Sequence, residues 1–112
     1  MSEISWDDFE KVDIRVGRVV EAEPFPEARM PSIMLVVDFG HEVGTRRTSA
    51  QLTAHYEPEA LVGRQVVAVV NFPAKRIAGF KSEVLVLGVP DGNGEVVLLS
   101  PDQEVPDGGR IF

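Results

Sequence analysis

The stretch Asp13-Ile14-Arg15-Val16-Gly17-Arg18-Val19-Val20 opens with strict alternation and then loses it. Val12, Ile14 and Val16 face one way and Asp13 and Arg15 the other, the two-residue period of a half-buried strand. After Gly17 the apolar pair Val19 and Val20 no longer keeps the phase. A glycine at a phase change predicts a bulge or sharp bend there, the device that lets one long strand serve both halves of a small barrel.

The flanking segments fit that reading. Upstream, Ser5 before Trp6-Asp7-Asp8-Phe9 predicts a short capped helix, with Asp8 three residues on and acids near the positive end of the helix dipole. Downstream, Pro24, Pro26 and Pro31 break the chain before a second strand over 33–39. Gly40 to Gly44 predicts a hairpin turn into a third strand over 45–52, which carries Arg46 and Arg47. Pro58 suits the first turn of a short helical insert, and Gly63 its left-handed end. Residues 64–70 are apolar on both faces, as a central strand requires, and residues 84–89 are their equal. Asp91-Gly92-Asn93-Gly94 is a hairpin signal leading to 96–99.

Five main strands with a helical insert between the third and fourth predict an all-β fold, a five-stranded OB-fold barrel with short helices and N- and C-terminal extensions. An SH3-like barrel is the structural rival. The expected organisation is a single domain over 1–112, with the N-terminal helix in 1–10 and the C-terminal extension in 101–112.

The chain has 112 residues, enough to bury roughly two-thirds of its unfolded surface. It has no cysteine, which excludes disulfides, thiolate metal sites and cysteine nucleophiles together. There is no apolar run behind a basic start and no continuous apolar stretch long enough to span a bilayer, so no membrane insertion and a cytoplasmic location are expected. The net charge of -7 argues against generic attraction to nucleic acid. Its distribution is uneven. Residues 1–10 carry four acids and no base, residues 11–82 carry eight acids and ten bases, and residues 83–112 carry six acids and one base. Within the basic middle, Asn71-Phe72-Pro73-Ala74-Lys75-Arg76-Ile77-Ala78-Gly79-Phe80-Lys81-Ser82 reads as a Pro- and Gly-punctuated cationic loop between two apolar strands.

No residues point to catalysis. The serines at 32, 49, 82 and 100 lie in no nucleophile elbow. His41 and His55 lack ligand spacing, so no metal and no cofactor are expected. Asp7-Asp8 and the pair Glu57 and Glu59 sit at helix starts, where acids are stabilising anyway. Gly92-Asn93-Gly94 precedes no helix that could hold a phosphate.

Binding chemistry is better represented. An OB barrel takes ligands across one sheet face and its surrounding loops, which places Arg46, Arg47, Lys75, Arg76 and Lys81 in one candidate region. Phe72 and Phe80 alternate with these bases, as Ile77 does, and can stack on a base or pack against a peptide side chain. Ser49, Gln51, Asn71 and Ser82 are candidate hydrogen-bonding partners. Trp6, Phe9, Ile111 and Phe112 are apolar groups at the chain ends that one small barrel cannot fully bury, and they predict a dimer interface.

Taken in order, Asp13–Val19, Val37-Asp38-Phe39-Gly40, Ser49-Ala50-Gln51-Leu52, Leu61–Val66 and Asn71–Ser82 resemble the tRNA-binding domain found in methionyl-tRNA synthetase tails and in free-standing tRNA binders. Phe25-Pro26-Glu27-Ala28-Arg29, Ser49–Thr53 and Tyr56–Leu61 are most similar to the CsaA branch, the bacterial export-related chaperones. The resemblance implies an OB barrel working as a homodimer, with a cleft for unfolded polypeptide or preprotein and contact with the export motor SecA. For the parent family it implies tRNA, held around Arg46, Asn71, Lys75, Arg76 and Ser82. The segment Arg29-Met30-Pro31-Ser32-Ile33-Met34 carries one base where CsaA-type chains tend to be richer in lysine. Met30 there offers flexible apolar surface suited to varied peptides.

Overall fold

A computed structural model describes residues 1–112. The N-terminal helix α1 spans Trp6–Glu10 and carries the expected capping box. Ser5 Oγ accepts from the Asp8 N–H, and the Asp8 carboxylate accepts from the Ser5 N–H. Strand β1, Ile14–Pro24, is the spine of the fold. Its first half pairs with β4, Gln65–Val69, and its second half with β2, Ile33–Asp38, both antiparallel. β2 in turn pairs with β3, Thr45–Ala50. With β7, Leu85–Val86, the sheet order is β3-β2-β1-β4-β7.

The long shared strand is as expected, but its irregularity lies elsewhere. The register shifts between Val19 and Glu21, which pushes Val20 outward. Gly17 has another job. A Cβ there would sit 2.6 Å from side-chain carbons of Val37 and Phe39, so the glycine makes room for the Phe39 ring in the core.

Three local expectations change. Residues 40–44 form a helical turn, α2, Gly40–Val43, because the Gly44 N–H bonds the Gly40 carbonyl at 2.8 Å before β3 starts. The segment expected as a cationic loop contains a hairpin, β5, Lys75–Ile77, and β6, Phe80–Ser82. Its turn residues Ala78 and Gly79 both have positive φ, 50° and 79°, matching the twist of the two strands. The strand expected over 84–89 divides. β7 stays in the main sheet, while β8, Gly88–Pro90, leaves to pair with β9, Val96–Leu98. The insert helix α3, Pro58–Leu61, and its left-handed Gly63 at φ 93° are as expected.

The nearly closed barrel encloses Val19, Ile33, Leu35, Val37, Phe39 and Val66, with Leu61 of α3 and Leu52 filling toward the same core. Closure between β3 and the segment before β7 is made by the Glu83 N–H donating to the Arg47 carbonyl at 2.8 Å. Beside it the buried Thr48 hydroxyl donates to the Val84 carbonyl at 2.7 Å. The C-terminal segment lies along β1: Gly108 N–H bonds Val16 O, and Ile111 N–H bonds Ile14 O. Gln65 fastens it from below, its buried amide reaching Val105 and Asp107. No helix is long and apolar enough to cross a membrane.

Candidate functional site

β3 ends the main sheet, and outside it stands the β5–β6 hairpin. The space between them is a groove of two joined cavities, about 350 and 490 Å³, with Ser49 and Ile77 lining both. Phe72, Lys75, Ser82 and Leu85 wall the first. Arg29, Met30, Gln51 and Ala78 wall the second. Phe72 is 54% exposed and Met30 57% exposed, so large apolar side chains stand open to solvent on the groove walls. Ser82 Oγ lies 3.2 Å from Thr48 Oγ1, which ties the hairpin to the barrel.

The cationic segment is divided by strand alternation. Lys75, Ile77 and Ser82 line the groove. Arg76 and Lys81 are cross-strand partners on the other hairpin face, both exposed and neither paired with an acid. Two like charges placed opposite each other disfavour the hairpin slightly, and an anion against them would remove that cost.

Four expected site residues are occupied otherwise. Phe80 is only 8% exposed. It packs on Phe25 with ring centroids 5.3 Å apart, and the Arg47 guanidinium covers its other side at 4.5 Å. Arg46 points to the opposite face of β3 from Arg47, and its Nε donates to the Val43 carbonyl at 3.2 Å. Asn71 is a clamp: its Oδ1 accepts from the Asp13 N–H at 3.0 Å and its Nδ2 donates to the Lys11 carbonyl at 2.8 Å. Both amide functions are used to hold the chain leaving α1. Ile77, Leu85 and Glu83 line the first cavity as well. Leu85 was hidden from sequence reading inside an apolar run, and only Glu83, a charge at the edge of that run, could have flagged the boundary.

Other cations are paired with acids around β1 and the C-terminal segment. Arg15 bonds Asp13 at 2.6 Å and Glu42 at 3.0 Å, and Arg18 bonds Asp107 at 3.3 Å and also Glu104. The Arg15 hydrogen bond holds the Asp13 carboxyl below its ordinary range. Seven cations form no ion pair: Arg46 and Arg64, which lie elsewhere, and Arg29, Arg47, Lys75, Arg76 and Lys81, which lie on or beside the groove and its hairpin, so most of the unneutralised positive charge is on that side.

A third cavity, about 300 Å³, is lined by Trp6, Phe9, Val12, Ile111 and Phe112, where α1 meets the chain end. Trp6 is 68% exposed, with its ring centroid 5.7 Å from that of Phe9. The four apolar residues from the two ends are thus brought to one surface. His55 is 2.6 Å from Asp91, whose carboxyl is held low first by the Glu95 N–H. No group of three His, Cys, Asp or Glu side chains could hold a metal ion.

The family described as "Putative tRNA binding domain" matches residues 14–110. Methionine–tRNA ligase of Methanothrix thermoacetophila is 43% identical over 108 residues, and that of Methanococcus aeolicus 37% over 111, covering 96% and 99% of this chain. The chain spans only 15% and 16% of those enzymes' lengths. Among solved structures, chaperone CsaA from Bacillus anthracis is 55% identical with a TM-score of 0.91, covering 99% of this chain and 100% of that one. The CsaA chaperone protein from Picrophilus torridus is 45% identical, also at 0.91, covering 98% of this chain and 100% of that one. A MetRS-related protein from Pyrococcus horikoshii is 31% identical at 0.87, with full coverage of both chains.

Proposed function

This chain belongs to the tRNA-binding domain family, and we propose that it acts as a non-catalytic, cytoplasmic, dimeric chaperone of the CsaA type that holds unfolded or export-bound polypeptide. The groove beside β3 carries the reading. A holder of varied clients needs apolar surface that stays wetted without collapsing, and Phe72 and Met30 supply it from the segments that border β3 and the hairpin. Methionine adapts to clients of different shape. End-to-end similarity to two structures named as CsaA chaperones supports the same assignment. Holding needs no bond to break: client side chains leave water in the groove, and release is simple dissociation. Preproteins bound for the export motor SecA are the natural clients under this reading. The surface formed by Trp6, Phe9, Ile111 and Phe112 joins two copies.

A second reading, structure-specific tRNA binding, is favoured by the unpaired Arg76 and Lys81 on the outer hairpin face. Salt separates the two. Unfolded, reduced α-lactalbumin and bulk tRNA are titrated against the chain at about 50 and 200 mM salt. Polypeptide held by apolar contact changes affinity by less than about threefold, while tRNA held through two phosphates, at Arg76 and Lys81, loses on the order of tenfold. The chaperone assignment fails if tRNA binds with that steep dependence and the chain neither binds α-lactalbumin nor suppresses its aggregation.

A further inference from the structure

The groove follows the axis of a strand edge. β3 is the terminal strand of its sheet; its outer side is bonded by Glu83 at Arg47, where the barrel closes, and beyond that point, from Ser49 on, no segment of the chain bonds its outer backbone groups. Arg47 marks the direction of that side. Its N–H donates to the Glu83 carboxylate at 3.1 Å and its carbonyl accepts from the Glu83 N–H at 2.8 Å, both away from β2. Backbone groups of an antiparallel strand alternate between its two sides, so Ser49, two residues on, presents its N–H and C=O to the same outer side. There they meet the groove. The first cavity touches β3 at Ser49, and the second touches Ser49, Ala50 and Gln51, so the cavities succeed one another along the strand.

We propose that a client segment binds here as an added β-strand on the outer edge of β3, with alternate side chains seated in the two cavities. The inference rests on the polypeptide reading above and specifies its mode. Residues two apart in a strand project to one face about 6.6 Å apart, which suits two cavities that meet at Ser49 and Ile77. Main-chain bonds then give affinity without a sequence code, as a holder of many clients requires. Charge defines the segment further. Lys75 lines the first cavity and Arg29 the second, and neither is ion-paired. Glu83, the acid of the first cavity, already accepts from the Arg47 N–H. The fitting client is an extended segment of alternating apolar residues flanked by carboxylates.

The test uses a synthetic decapeptide of alternating valine and serine with an aspartate at each end. One version is N-methylated on every valine and another on every serine. N-methylation removes backbone donors along one edge of the peptide and leaves the other edge intact. One version should bind at least about tenfold more weakly than the parent and the other within about twofold. Ser49→Pro should weaken the parent peptide by a similar factor, since it removes an outward N–H and leaves the ladder to β2 intact. Its circular dichroism should match the wild type. Equal effects of the two methylated versions would overturn strand addition while leaving polypeptide binding standing. Binding of unfolded α-lactalbumin without binding of the decapeptide would overturn it too. Failure of both ligands to bind would remove the polypeptide reading itself. Protection of the Ser49 and Ile77 amides from hydrogen exchange by tRNA, and not by the decapeptide, would assign the groove to RNA and also overturn the proposal.

Discussion

The guanidinium of Arg47 lies 4.5 Å from the centre of the Phe80 ring, closing over an aromatic that Phe25 supports from beneath. An expected ligand-binding phenylalanine is therefore part of the barrel's packing, and its mutation should behave as a core mutation. Phe80→Ala is expected to cost on the order of 3 kcal/mol of stability. Phe72→Ala, at a side chain 54% exposed on the groove wall, should leave stability within about 0.5 kcal/mol and weaken polypeptide binding. Urea unfolding of the two variants, paired with a binding titration, checks the division. Equal stability losses would mean that Phe72 too is a packing residue.

Thr48 and Val84 join the two edges of the barrel through a buried hydroxyl and a carbonyl. Thr48→Val keeps the shape but leaves that carbonyl without its donor, at an expected cost of about 1–3 kcal/mol. Thr48→Ser, which retains the hydroxyl, should be less damaging than Thr48→Val. Thermal melts that rank the variants the other way would show that the methyl group matters more than the closing bond.

The apolar surface at α1 and the chain end predicts self-association. Sedimentation at micromolar concentration is expected to give twice the 12.3 kDa chain mass. Trp6→Glu should shift the protein toward monomer without unfolding it, because Trp6 is mostly exposed within one copy. A wild-type monomer under these conditions would leave the patch without its partner.

Acid should loosen the Asp13–Arg15 fastening at the start of β1. The Arg15 hydrogen bond depresses the folded-state Asp13 carboxyl, so its stabilisation is present above the unfolded value of about 3.9 and is lost as pH falls through the lower folded value. Asp13 is partly exposed, so solvent screening keeps its share modest. Stability should be flat near neutrality and fall below about pH 4. Asp13→Asn should be destabilised at neutral pH and show a shallower acid decline. An unchanged acid limb in that variant would assign the decline to other carboxylates.

Much of this molecule was legible along the chain because the controlling interactions are local. The Ser5–Asp8 capping box, Pro58 at a helix start and Gly63 in left-handed conformation all depend on residues within a few positions. So does the run Gln65–Val69, buried along its whole length. The alternation expected over 12–16, by contrast, is not met in full: Val12 precedes β1 and is 40% exposed, and Asp13, Ile14 and Arg15 are all half-buried. Alternation also contained a clue that grouping by charge obscured: neighbouring Arg46 and Arg47 must face opposite sides of one strand.

Long-range contacts decided the rest. Gly17 reads as a kink, yet its role depends on the Phe39 ring brought against it from another strand. Asn71 reads as a binding amide, and it is consumed by Lys11 and Asp13, some sixty positions away in the chain. The turn at Ala78 and Gly79 converts a cationic loop into a two-faced hairpin, sending Lys75 into the groove and Arg76 outward. The amino-acid order alone therefore determined the strands, the caps and a basic middle. Which polar groups remain free for a ligand was decided only when the barrel closed, because a donor or acceptor is available only if no distant segment has already satisfied it.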